Sequence, residues 1–222
     1  MSVTVAPWTR AQVAERAARS LRAGMVVNLG IGMPTLVADH VPVDLGVIFH
    51  SENGVLGVGP APAPGDGDPQ LINASKDAIT VLPGASYFHQ ADSFALIRGG
   101  HIDVAIMGAF QVSCGGDLAN WSAGEDRIPA VGGAMDLAVG AKTVIAMLTH
   151  VTSASEPKLV EKCTLPLTAS GVVRRVYTDL MVADVQDGGF IVREMQDGMT
   201  LESLQAVTAA PVRLGDGESS WE

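Results

Sequence analysis

Cysteine is scarce. Cys114 and Cys163 are the two in 222 residues, far apart and without metal-ligand or redox spacing. That excludes a disulfide framework and predicts two free, buried thiols in a reducing compartment. Aromatic residues make up 5% of the chain, so the core must be built from Ala, Val, Leu, Ile and Met. Positive charge is short too: 14 Lys and Arg stand against 24 Asp and Glu, for a formal net charge of −10. With a pI near 4.8, neither nucleic acid nor an anionic membrane surface is an expected partner. No apolar run reaches membrane-spanning length, and the N-terminal stretch has no apolar signal core. A soluble, cytoplasmic protein is expected.

Several familiar chemistries lack their signatures. There is no GxxxxGK[ST] for phosphates and no GxSxG elbow. The five histidines (His40, His50, His89, His101 and His150) include no HxxxH pair, so no metal site is expected. His50, Ser51 and Asp136 could be imagined as a Ser–His–acid set, but without a GxSxG elbow each histidine reads as an ordinary packing or surface residue.

What is present is apolar and glycine-rich. Hydrophobic residues make up 47% of the chain, mean hydropathy is +0.28, and the 25 glycines fall mainly at the ends of apolar runs. This suits an α/β fold, an open and mostly parallel sheet with helices on both faces. The chain reads as a single domain spanning residues 1–222.

Thr9 to Gln12 fits a capping box for a helix running to Leu21 or Arg22, where Gly24 stops it. Trp8 or Val13, with Ala17 and Leu21, forms its apolar stripe. Strands are expected at Met25–Leu29, Leu45–Phe49, Ile79–Leu82 (stopped by Pro83-Gly84), Asp103–Met107 and Thr143–Leu148. Helices are expected at Gln90–Ile97 and Thr200–Val207, and Val131–Leu137 reads as a tight turn opening a short helix. Residues 61–70 read as a surface loop, and Gly115 onward as a long irregular one. The runs Val172–Tyr177, Leu180–Val185 and Phe190–Val192 suggest a small antiparallel patch near the C-terminus. The tail from Gly215 is expected to fray.

The stretch Ser51-Glu52-Asn53-Gly54 stands out. A carboxylate ends an apolar run, with glycines forcing an abrupt turn, and in α/β proteins chemistry collects at the carboxyl ends of strands. Glu52 either displays a reactive group there or caps a turn or the start of a helix. Two further glycine turns, Gly30–Gly32 and Gly132–Gly133, can expose backbone N–H groups that stabilise an oxyanion. Gly30-Ile31-Gly32 lacks the third glycine of a dinucleotide fingerprint, because Thr35 stands in its place. A carboxylate with oxyanion donors, and no histidine base, metal or phosphate-binding lysine, points to covalent catalysis by the carboxylate itself. Attack on a thioester needs no general base, since a carboxylate with a reference pKa of about 4.3 is already ionised at neutral pH.

The segments SENGVLGVGP, VNLGIGMPTLVA, DPQLINASKDAITVLPGASYF, ADSFALIRGGHIDVAIMGAFQVS, GDLANW, GGAMDL and CTLPLT resemble the β subunit of the 3-oxoacid CoA-transferases (family I), from about residue 8 to about residue 208. The resemblance implies the open α/β sheet of CoA-transferase halves, with the active site shared with an α subunit in an assembly of two α and two β chains. It places the catalytic glutamate on Glu52 and the oxyanion N–H on Gly133. It sets Asn28 near the reacting carbonyl, where the amide could equally bridge strand ends. Asn53, Gly30 and Gly32 fall in the same motifs, while Gly54 and Gly132 shape the backbone. Acyl-CoA and small carboxylic acids would be substrates, CoA the carrier, and no metal or redox cofactor would be needed. The chain departs from the family at Ala130 and Ser75, where glycine is commoner. The acidic run Gly124–Pro129 suggests a different acid preference. Two other readings are a non-catalytic acyl-CoA-binding or assembly subunit, and a phosphate-binding isomerase with Lys76 and Arg98 as its basic ligands.

Overall fold

The computed structural model describes residues 5–123 and 130–215. The acidic run at 124–129 and the tail at 216–222 lie outside the described residues. The chain opens with helix α1 (Arg10–Ala18), and its capping box is formed. Thr9 N–H donates to Gln12 Oε1 at 2.8 Å, and Gln12 N–H donates to Thr9 Oγ1 at 3.3 Å. The helix ends a turn earlier than its apolar stripe suggests. Ser20 and Leu21 close i→i+3 bonds to Ala17 and Ala18, and the Ser20 hydroxyl also donates to the Ala17 carbonyl. These tight bonds compete with α-helical ones.

Strand β1 (Val26–Leu29) leads through Gly30 into a 3-10 helix at Met33–His40. The second strand, β2, is Ile48–Ser51 rather than 45–49. Gly46 takes a left-handed φ of 74° after a short 3-10 turn, so extension begins only beyond it. β2 turns back into β3 (Val55–Val58), which pairs with β4 (Val81–Tyr87). Pro83-Gly84 does not stop β4. This is the last strand of the sheet, its register against β3 shifts there, and a proline lacking an N–H is tolerated at an open edge.

Helix α2 (Gln90–Arg98) returns the chain to β5 (Val104–Gly108). After β5 the chain turns out into β6 (Gln111–Ser113) and β7 (Leu118–Ala119), which form a separate three-stranded sheet with β9 (Leu159–Val160). The expected irregular loop therefore contains a strand. Helix α3 (Ala134–Gly140) and β8 (Thr143–Met147) follow. The end of the chain adds β10 (Val173–Tyr177), β11 (Met181–Gln186), β12 (Gly189–Met195), α4 (Leu201–Ala206) and β13 (Val212–Leu214).

The main sheet runs β13-β12-β11-β10-β8-β5-β1-β2-β3-β4. Its centre, from β10 to β2, is parallel throughout. The antiparallel patch expected at the C-terminal end, β10-β11-β12, is matched by a second one at the opposite edge, β2-β3-β4. Alternation along the central strands divides the core. Val104, Ile106, Ile145 and Met147 pack with α1 and the first 3-10 helix on one face. Ala105, Met107, Val144 and Ala146 pack with α2, α3 and α4 on the other. Neighbours in sequence thus serve opposite cores, which explains why these strands read as continuous apolar runs. Cys114 and Cys163 are free but only half-buried: Cys114 follows β6 at the flank of one core, and Cys163 Sγ lies beside the Asp117 carbonyl oxygen.

Candidate active site

The chain passes from β1 outward to β2 on one side, then returns to β5 on the other. In an open α/β sheet such a reversal leaves a crevice at the carboxyl ends of the strands. A cavity of about 640 Å³ lies there. It is lined by Asn28–Ile31 at the end of β1, Ser51 and Glu52 at the end of β2, Met107–Phe110 at the end of β5, and Leu148 and Thr149 just past β8.

Glu52 occupies the turn between β2 and β3. Gly54 N–H donates to Ser51 O at 3.0 Å to close that turn. Gly54 has φ 116°, and a β-carbon there would sit 2.1 Å from the Phe88 carbonyl oxygen. Only glycine fits. On the other side of the turn, Asn53 Nδ2 donates to Ile72 O at 2.7 Å, and Ser51 Oγ accepts from Ala74 N–H at 3.0 Å. The glutamate is thereby clamped between the β4 end and the loop at 71–78.

The Glu52 carboxylate lies against Gly133, at the start of α3. A β-carbon on Gly133 would meet Glu52 Oε2 at 2.8 Å. Gly132 turns the chain with φ 54° into α3, whose first-turn N–H groups have no partners inside the helix. Burial raises the Glu52 pKa above the ordinary carboxylate value, and the charge of Asp136 adds to the rise. Asp136 itself pairs with Arg98 at 2.6 Å. A desolvated carboxylate beside backbone donors is a strengthened nucleophile with room for an oxyanion nearby.

Behind it lies a buried polar cluster. Asn28 Nδ2 donates to His50 Nδ1 at 3.0 Å and to His50 O at 3.3 Å, and His50 Nε2 lies 2.8 Å from Ser93 Oγ. A carbonyl oxygen can only accept, so the amide nitrogen must face it. His50 Nδ1 then accepts, and Nε2–H donates to Ser93. Burial holds the His50 pKa down to about 4, which keeps the ring neutral. The imagined Ser–His–acid set does not exist: His50 bonds to Ser93, Ser51 to Ala74, and Asp136 to Arg98.

Five of the anticipated residues, Glu52, Gly133, Asn28, Gly30 and Gly132, line the cavity together. Asn53, Gly54 and Gly32 do not. Asn53 anchors the loop at 71–78, Gly54 shapes the turn, and Gly32 (φ 91°) bends the chain into the 3-10 helix. Ser75 lines the cavity without a positive φ, whereas its neighbour Lys76 adopts φ 69°. Lys76 lies outside the cavity lining and Arg98 is tied to Asp136, so neither serves as a phosphate ligand there. Among the described residues, the cations that line the cavity are Arg10 and Lys158, which nothing in the local sequence marks out. Among the described residues no group of three or more His, Cys, Asp or Glu is placed to hold a metal ion. No helix among them is long and apolar enough to cross a membrane.

The sequence model of the family described as Coenzyme A transferase matches residues 10–206. The chain belongs to that family. It is 52% identical over 203 residues to a 3-oxoadipate CoA-transferase subunit from Acinetobacter baylyi, covering 91% of this chain and 94% of that one. It is 49% identical over 201 residues to a succinyl-CoA:3-ketoacid coenzyme A transferase subunit from Helicobacter pylori, covering 90% and 97%. Among solved structures, the acyl-CoA transferase apoenzyme of Escherichia coli O157:H7 superposes with a TM-score of 0.73 at 18% identity. That match covers 97% of this chain and 43% of the other, so the chain spans less than half of it, and the likeness is one of fold.

Proposed function

We propose that this chain is the β subunit of a CoA-transferase that moves CoA between an acyl-CoA, succinyl-CoA foremost, and a 3-oxo acid such as acetoacetate or 3-oxoadipate. An α subunit completes the site in an assembly of two α and two β chains. The observation that carries the reading is the half-buried Glu52 carboxylate, held against Gly133 inside the strand-end cavity.

Glu52 attacks the thioester carbonyl. The oxyanion that forms takes a hydrogen bond from the Gly133 N–H. Collapse expels CoA thiolate and leaves a mixed anhydride between Glu52 and the acyl group. The thiolate returns to the glutamyl carbonyl of that anhydride, releasing the first acid as its carboxylate and leaving a glutamyl-CoA thioester. The second acid reverses both steps and leaves as its acyl-CoA. No net proton transfer and no redox change occur, so the scheme calls for no metal or redox cofactor; CoA is the carrier. Asn28 directs its amide nitrogen to His50 at the wall of the cavity.

The test is chemical trapping. Incubating the α/β assembly with acyl-CoA in the absence of acceptor should leave a thioester on the Glu52 peptide that borohydride reduces. Glu52→Gln should remove both the adduct and the transfer activity. Exchange that proceeds only when both reactants are bound together, with no enzyme-linked species, would overturn the reading.

A further inference from the structure

The cavity is electrostatically lopsided. Its described lining holds one carboxylate, Glu52 at the end of β2, and two cations, Arg10 and Lys158. Arg10 is exposed at the start of α1 and its charge is screened by water. Lys158 is half-buried. Its backbone N–H donates to His150 O at 3.0 Å and its carbonyl accepts from Val112 N–H at 3.0 Å, which fixes its α-carbon between the β8 exit and β6. Its Nζ donates to Thr149 Oγ1 at 2.7 Å, and that hydroxyl passes its own hydrogen to Val151 O at 2.9 Å.

Among the described residues the ammonium makes no ion pair. Asp179, the carboxylate whose charge it feels, accepts the His150 backbone N–H at 2.6 Å instead. Burial lowers the Lys158 pKa. An ammonium has three hydrogens and Thr149 takes one, so two remain to be given. A partly desolvated cation with a single neutral partner is costly to maintain and becomes favourable once an anion joins it.

We infer that Lys158 is the counter-charge for the far carboxylate of a dicarboxylic acyl group whose other carboxyl reacts at Glu52. The inference rests on the proposed role of Glu52. The ends of β8 and β2 are separated by three inter-strand steps through β5 and β1, roughly 14 Å at ~4.8 Å each. Two side chains and a short diacid together fill such a span, whereas the CoA phosphates stand at the end of a pantetheine arm longer than it. A monocarboxylic acid has no second charge to offer Lys158. The lysine therefore discriminates between acids without touching the reacting atoms.

The experiment compares the wild-type α/β assembly with Lys158→Met and Lys158→Arg, using succinate and acetoacetate as acceptors. Lys158→Met should lower the succinate-to-acetoacetate ratio of kcat/KM about tenfold or more, the scale of a lost charged hydrogen bond. Lys158→Arg should restore much of that ratio. Calorimetric titration with succinate should show the same order of affinities, a readout that needs no turnover. Equal losses for both acids, or no change for either, would overturn the inference. So would a loss that appears with acyl-CoA and vanishes with acyl-pantetheine, which would give Lys158 to a phosphate. If trapping at Glu52 fails while succinate binding still depends on Lys158, the covalent scheme falls and the subsite stands.

Discussion

Gly133 and Glu52 touch so closely that the glycine has no room for a side chain: a β-carbon would come within 2.8 Å of Glu52 Oε2, 3.1 Å of its Cδ and 2.9 Å of Phe94 Cζ. Gly133→Ala must therefore displace the carboxylate. Its φ of −78° is ordinary, so the added methyl strains the site and not the backbone. The expected result is a fall in kcat of about a hundredfold, the scale of a 1 Å misplacement, with a melting temperature close to wild type. Steady-state kinetics alongside thermal unfolding separates the two effects.

Gly54→Ala should behave in the opposite way. Its β-carbon would lie 2.1 Å from the Phe88 carbonyl oxygen, and φ 116° suits no other residue. A loss of about 2–4 kcal/mol of stability is expected, measured by denaturant unfolding. Activity should fall with the folded population.

The pH dependence of transfer follows from Glu52. Attack requires the ionised carboxylate, and its pKa is raised by burial first and by Asp136 second. Activity should therefore be lost as pH falls through a value above the ordinary carboxylate range. Asp136→Asn removes the neighbouring negative charge and should move the acid limb of kcat/KM to lower pH. Burial remains, so the limb should not return fully to the ordinary value. An unmoved limb would remove Asp136 from the account.

Two buried histidines set the acid stability. Burial holds both His50 and His150 down to about 4, while an unfolded histidine titrates near 6.5. Between those values the unfolded chain binds protons that the folded chain refuses, so the histidines' contribution to stability falls as pH drops from about 6.5 to about 4 and levels off below. Each histidine contributes a slope of up to about 1.4 kcal/mol per pH unit. His150→Gln, at the β8 exit, should lower stability at neutral pH and remove that histidine's share of the slope. Chemical denaturation across pH 4 to 7 checks both.

The sequence made Glu52 conspicuous because its signals are local: an apolar strand, a carboxylate and a glycine turn within a few residues. The capping box at Thr9 was legible for the same reason. Pro83-Gly84 misled because its tolerance depends on β4 being an edge strand, which is a property of the assembled sheet. The Asn28–His50–Ser93 cluster and the approach of Lys158 stayed hidden for a related reason. They join side chains from β1, β2, α2 and the segment before β9, and no periodicity records which strand ends become neighbours. The Gly132–Gly133 turn was readable as a source of backbone donors, and the resemblance singled out Gly133; the contact with Glu52 that demands a glycine appears only in three dimensions.

The alternation that sends Val104 and Ile106 to one core and Ala105 and Met107 to the other leaves outside both the residues that follow the strands at the cavity, such as Gly30, Glu52 and Phe110. Residues at those positions lie outside the packing that holds the sheet together. A lineage built on this scaffold is therefore free to retool which acids it trades by rewriting its rim, while the load-carrying slab beneath is inherited unchanged.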